Sequence, residues 1–285
     1  MANIRQIRRR IRGVQSTAKI TRAMEMIATS KMRRAQEAGV AGRPYDEKIR
    51  QVISDLAALT QSGEALHPLL QRRPVSRIAV VHITPDRGLC GGLNANINRT
   101  TASFILEQTV PVTLITVGRK GNDFMRRVGR DIRAEFTRLG DRPSLMDTLP
   151  ISRIVIDDYT NGLVDMVYLA FARFVTTMVQ TPVMEQLLPV KPMELPALEN
   201  VEYIYEPGSA AVLGALLPRF VEMEVYHAVL ESIASEQSAR MVAMRNATES
   251  ANELIEDLTL LYNKARQESI TTELLDIAGG AAALK

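Results

Sequence analysis

RFVEMEVYHAVLESIASEQSARMVAMRNATESANELIEDLTLLYNKARQESITTELLDIA, residues 219–278, is a stretch with neither glycine nor proline. As one helix it would be about 90 Å long at ~1.5 Å per residue, more than a compact domain can cover. The sequence therefore predicts a helix that leaves the body it starts from. Steps of four and three from Tyr226 reach Leu230, Ile233, Gln237, Arg240, Met244, Ala247, Ala251, Leu254, Leu258, Leu261 and Ala265. A seam of that period supercoils against a partner helix. Gln237 and Arg240 interrupt it, and a charge on such a seam costs stability unless a group outside the pair receives it.

The partner is at the other end of the chain. Ile4, Ile7, Ile11, Val14, Ala18, Thr21, Met24 or Glu25, and Ala28 repeat at the same spacing. If both helices leave a central domain on the same side, they run antiparallel and bury each other's seams. Residues 1–35 carry ten basic side chains against one acid, Glu25, although the whole chain has a net charge of only +3. Such a helix also suits an independent coiled-coil adaptor or a nucleic-acid-binding protein. No aromatic residue precedes Tyr45 to stack on a base, which speaks against the latter. Glu249, Glu253, Glu256 and Asp257 are the expected acidic counterparts on the later helix.

Gly39, Gly42 and Pro44 weaken the first helix, yet apolar periodicity resumes at Ile49, Val52, Ile53 and Leu56, so a kinked continuation to about Leu59 is expected. From Arg77 the pattern changes. Residues 78–83, 111–117, 132–137 and 166–174 read as strands, and the stretches to about Gln108, 120–128 and 146–159 as helices, an alternation that predicts a parallel α/β sheet. Pro182, Pro189, Pro192 and Pro196 then read as an irregular return to Tyr203 and Glu206. The expected domains are an N-terminal coiled-coil helix over 1–60, a Rossmann-like α/β domain over 61–208, and a C-terminal coiled-coil helix over 209–285.

Little here composes an active site. The turn Asp86-Arg87-Gly88-Leu89-Cys90-Gly91-Gly92 invites a phosphate, but it lacks the Lys-Ser/Thr of a P-loop and the spacing of a dinucleotide fingerprint. His67, His82 and His227 stand apart from any second metal ligand in the sequence, and His82 reads as a core histidine. Cys90 is the only cysteine, so no internal disulfide forms. No apolar run reaches the length of a membrane span. The expectation is a chain with no catalytic residue, cofactor or metal.

Ile20 to Ala28, Asp86 to Asn94, Ala234 to Met244, Leu261 to Gln267 and Ser269-Ile270-Thr271 resemble the gamma subunit of F-type ATP synthases. The resemblance implies a central rotor, present once per complex, that turns within a head of alpha and beta subunits and itself does no chemistry. It places Met24 against a beta subunit and Arg240, Gln267 and Thr271 against loops of the head. Tyr203 and Glu206 match the segment that meets the membrane ring of c subunits, and the α/β domain would carry the epsilon subunit. Neither nucleic acid nor inserted lipid is among the implied partners. Without the chloroplast insertion and its cysteine pair, and with Met1 leading directly into the periodic helix, a bacterial protein at the cytoplasmic face of the plasma membrane is expected. Gly279-Gly280 is expected to end the last helix.

Overall fold

The computed structural model describes residues 4–60, 67–191, 206 and 208–283. Helix α1 is Ile4–Thr60 and helix α5 is Ser209–Ala283. Between them lie β1 (Ile78–Ile83), α2 (Leu93–Glu107), β2 (Val112–Val117), α3 (Arg119–Arg127), β3 (Ile132–Phe136), α4 (Leu145–Thr160), β4 (Met166–Phe174) and β5 (Gln180–Leu188). The chain divides into two compact units, one of residues 29–240 and one of residues 1–28 with 241–285.

In the first unit the strands form one sheet in the order β3-β2-β1-β4-β5, parallel except for antiparallel β5. The chain winds outward from β1 to β3, then returns to the other side of β1, the doubly wound pattern expected from the sequence. Successive strand residues point to opposite faces. Ala79, Val81, Ile115, Val117, Leu169 and Phe171 pack with Ile151 and Val155 of α4, Ile53 and Leu56 of α1, and Leu217 and Val225 of α5. On the other face Val80, Leu114 and Ala170 pack with Ile105 of α2 and Met125 of α3. Covered on both faces, β1 is buried at every position, which is why its run is continuously apolar.

His82 is the polar member of that run. Nε2 lies 2.9 Å from Asn98 Oδ1 and Nδ1 lies 3.1 Å from Thr101 Oγ1, so α2 satisfies the ring from above. Two glycines bring α3 onto the sheet end. Gly118, at φ +91°, would place a Cβ 1.8 Å from the Thr84 carbonyl oxygen, and a Cβ on Gly121 would meet the His82 ring at 2.6 Å.

Two expectations change, at β5 and at Gly279-Gly280. The stretch containing Pro182 is not irregular but forms β5, pairing with β4 from Gln180↔Phe174 through Leu188↔Val167. An edge strand tolerates a residue without an N–H, because one side of its ladder is unpaired anyway. As expected, helix α1 continues through Gly39, Gly42 and Pro44, since Ala35 before them and Ile49, Ile53 and Leu56 after them enter the same core. Helix α5 begins at Ser209, where the expected C-terminal helix starts, but Gly279-Gly280 does not end it. In α1 burial outweighs a local penalty of about 1–3 kcal/mol.

In the second unit the helices run antiparallel. Thr21 and Thr248 share a 2.7 Å hydroxyl hydrogen bond, and one turn further along α1 Glu25 accepts a 2.9 Å bond from Arg245 Nε. Advancing on α1 from Thr21 to Glu25 thus retreats on α5 from Thr248 to Arg245. The same register sets Ala18 against Ala251 and Ile11 against Leu258, and Ile7, Ala18, Ala251 and Leu258 are all buried. Ile4, Ile11 and Val14 are half-buried.

Candidate functional site

The seam of α5 has two kinds of partner, one in each unit. In the helical unit a stripe of Met241, Met244, Thr248, Ala251, Ile255, Leu258, Tyr262, Ala265 and Ser269, each buried or half-buried, runs at alternating steps of three and four, with Val242, Ala243 and the expected Ala247 half-buried beside it. Met244, Ala251, Leu258 and Ala265 are as expected. Leu254 and Leu261 are not on the stripe, being 46% exposed, and their places are taken by Ile255 and Tyr262. At Leu254 and Leu261 the expected step fell one residue short, because Thr248 opposite Thr21 sets the phase.

In the α/β unit Leu230 and Ile233 are buried as expected, and from there α5 also bonds to the end of β4 and to loops. Ser235 Oγ donates to the Ala172 carbonyl at 2.9 Å and Ser238 Oγ to the Thr177 carbonyl at 2.7 Å. Gln237 Nε2 donates to Asp141 Oδ1 at 3.3 Å, while Asp141 Oδ2 accepts from Lys31 of α1 at 2.7 Å. Arg240, 9% exposed, donates to Glu236 Oε1 at 2.6 Å and to the Gly88 carbonyl at 3.2 Å. The interruptions at Gln237 and Arg240 therefore have a physical cause. Backbone carbonyls and carboxylates line that face, and buried donors must meet them.

Arg240 also organises its surroundings electrostatically. Burial raises the Glu236 pKa, and the adjacent guanidinium partly offsets the rise. Burial likewise raises the Cys90 thiol, again against a lowering contribution from Arg240. A buried thiol with a raised pKa is a poor nucleophile. The glycine turn is held from within: Asp86 Oδ1 accepts the Arg119 N–H and Oδ2 the Arg138 N–H, each at 2.9 Å, and Asn94 Nδ2 reaches Cys90 Sγ at 3.3 Å. This carboxylate satisfies the first N–H of α3. At the turn's tip Leu89 has φ +62° and is 63% exposed, a feature no periodicity could reveal.

The remaining expected contact residues are spread along the chain. Met24 is half-buried on α1, while Gln267 and Thr271 are exposed and one turn apart on α5. Glu206 is exposed, and Tyr203 lies outside the described residues. Sequence reading missed Ser235, Ser238, Asp141 and Lys31. A row of small polar residues, Ser232, Ser235 and Ser238, on an otherwise apolar seam was the available signal. Among the described residues no group of three His, Cys, Asp or Glu side chains could hold a metal, and no helix is long and apolar enough to cross a membrane.

A family model described as ATP synthase matches residues 3–284. The ATP synthase gamma chain of Dehalococcoides mccartyi (strain ATCC BAA-2266 / KCTC 15142 / 195) is 71% identical over 284 residues, covering 100% of both chains. The chain belongs to the gamma-chain family of ATP synthases. A more distant gamma chain, from Chloroflexus aurantiacus (strain ATCC 29366 / DSM 635 / J-10-fl), is 49% identical over 288 residues, covering 100% of this chain and 99% of that one. A chain of the Euglena gracilis mitochondrial ATP synthase, from its OSCP/F1/c-ring structure, shares the fold with a TM-score of 0.71 at 23% identity, over 99% of this chain and 94% of that one. The Tetrahymena thermophila mitochondrial ATP synthase central stalk/c-ring structure gives 0.62 at 24% identity, over 80% and 99%. A gamma-chain family member is a subunit of a larger ATPase, so its functional surfaces are contacts, and the exposed and half-buried residues above are where to seek them.

Proposed function

We propose that this gamma-family chain is the central rotor of a bacterial F-type ATP synthase, present once per complex and not catalytic itself. It couples ion-driven rotation of a membrane c-ring to the cycling of catalytic sites in a head of alpha and beta subunits, or runs in reverse as a hydrolysis-driven pump. One observation carries the reading. Two helices of one chain seal an antiparallel seam, and α5 continues from Ala265 to Ala283 past the position opposite Ile4, presenting Gln267 and Thr271 outward on one face. A rotor needs both features: a stem stiff enough to transmit torque, and polar groups that distinguish one angle from another.

On this reading Met24, Gln267 and Thr271 touch the head directly. Arg240 acts through the Asp86–Gly91 turn whose Gly88 carbonyl it holds. Tyr203 and Glu206 meet the c-ring, the α/β unit carries the epsilon subunit, and the assembly sits at the cytoplasmic face of the plasma membrane. Each hydrogen bond to a charged partner contributes about 1.5–3 kcal/mol, enough to bias angle while still breaking on every turn. The test is reconstitution with alpha, beta and epsilon subunits. Gln267→Ala with Thr271→Ala should assemble normally and slow ATP turnover severalfold. Failure of the wild-type chain to enter such a complex would refute the rotor reading.

A further inference from the structure

Beyond the carboxyl ends of β1, β2 and β3 lies a crevice of about 470 Å³, bounded by Asp86, Arg119, Arg138, Asp141 and Glu236, with Arg87 at its rim. It lies along the β1-β2-β3 side and not at the β1/β4 reversal of strand order, so the fold by itself does not mark it, but its volume suits a small molecule. Its charges are unequally committed. Both Asp86 oxygens accept backbone amides, Asp141 is engaged by Lys31 and Gln237, and Glu236 is engaged by Arg240. Among the described residues, the guanidinium groups of Arg87, Arg119 and Arg138 have no hydrogen-bond or ion-pair partner.

The backbone adds a second, independent observation. Arg138 has φ +62°, a left-handed conformation disfavoured for any residue with a Cβ, and its N–H is pinned by Asp86. Such strain is retained where surrounding structure enforces a particular placement. Here one carboxylate fixes the backbones of two arginines, Arg119 and Arg138, on the rim of one cavity, leaving both side chains uncommitted. Hydrogen bonding leaves the acids of the crevice charged, but it turns their oxygens toward their own donors, so the three planar forks remain to meet several anionic oxygens in a row.

We propose that this crevice binds a polyphosphate chain, a di- or triphosphate, either free or as the tail of a nucleotide, through Arg87, Arg119 and Arg138. No aromatic or large apolar side chain lines it, so a base would find no stacking surface and the phosphates alone supply recognition. The inference stands apart from the rotor reading and does not depend on it.

The test is calorimetric titration of the full chain with tripolyphosphate, ATP and orthophosphate. Tripolyphosphate and ATP should bind with one site and affinities within about threefold of each other, orthophosphate at least tenfold more weakly, and added salt should weaken all of them. Arg119→Gln with Arg138→Gln should lose at least tenfold in affinity with an unchanged melting temperature, because neither side chain supports the fold. Arg219→Gln, on an exposed ion pair of α5 outside the crevice lining, should bind as wild type. The proposal is overturned by absence of saturable binding, by equal losses in the Arg219 and crevice variants, or by an Asp/Glu-rich peptide that binds there while tripolyphosphate fails to displace it. Much tighter binding of ATP than of tripolyphosphate would overturn the phosphate-only recognition.

Discussion

Arg240 shows how a residue that violates a pattern reports the environment that receives it. On a two-helix seam a buried guanidinium would be an expensive defect, but beside Glu236 and the Gly88 carbonyl it is the satisfied half of a pair. Removing one partner leaves the other charge buried, at a cost of about 3–5 kcal/mol. Arg240→Leu should therefore lower the stability of the isolated chain by about that much in urea unfolding, and adding Glu236→Leu should restore most of it. His82 makes a different test. Burial lowers its pKa to about 4, with the Asn98 hydrogen bond acting in the opposite direction. An unfolded histidine titrates near pH 6.5, so between about 6.5 and 4 the unfolded chain binds the extra proton. The stabilising contribution of the neutral ring is full above that window and is lost as pH falls through it, by on the order of 3 kcal/mol at the acid end. Urea midpoints measured from pH 7 to pH 4.5 should drop more steeply for wild type than for His82→Gln. Equal slopes would show that the carboxylates alone cause the decline.

At the scale of elements, the seam's existence and its phase are separate facts. Alternating steps of three and four place a stripe on α5, but adjacent residues such as Leu254 and Ile255 compete for each intermediate position. Thr248 against Thr21 decides between them. Leu258→Asp should unzip the helical unit by burying an unpaired carboxylate, costing several kcal/mol, whereas Leu254→Asp, 46% exposed, should change stability by less than about 0.5 kcal/mol. Thermal unfolding of the two variants discriminates the phases, since a seam through Leu254 and Leu261 demands large losses from both. The ion pair across this seam also differs from expectation: Glu25 of α1 accepts from Arg245 of α5, the reverse of a basic α1 facing an acidic α5. The acid count along a helix does not say which carboxylates lie beside the seam. Similarly, Pro44 within α1 and Pro182 within β5 are local breakers that an apolar core and a sheet edge accommodate.

At the scale of the whole molecule, the sequence carries two long helices and one doubly wound sheet, and the rotor reading assigns their surfaces to a head and a c-ring. Met24 belongs at this scale, because its effect needs the complete machine. On the rotor reading, Met24→Lys should weaken the coupling of ATP hydrolysis to ion pumping, as a new ammonium beside the half-buried Glu25 position would grip an acidic surface of the head too tightly. ATPase rate and ion pumping measured on the same membranes should separate, with pumping falling further than hydrolysis; proportionate changes would remove Met24 from the contact. By itself the sequence determined the kind and order of nearly every element, because helical and strand periods are written within ten or twenty consecutive residues. The continuous apolar run of β1 and the matching heptads of α1 and α5 were legible for that reason. Only the tertiary structure decided the phase of the seam, the edge strand β5, the inward partner of Arg240 and the gathering of Arg87, Arg119 and Arg138 around one crevice. Each depends on which residue far along the chain lies opposite. That pairing is settled by register and burial across the fold, and no local period records it.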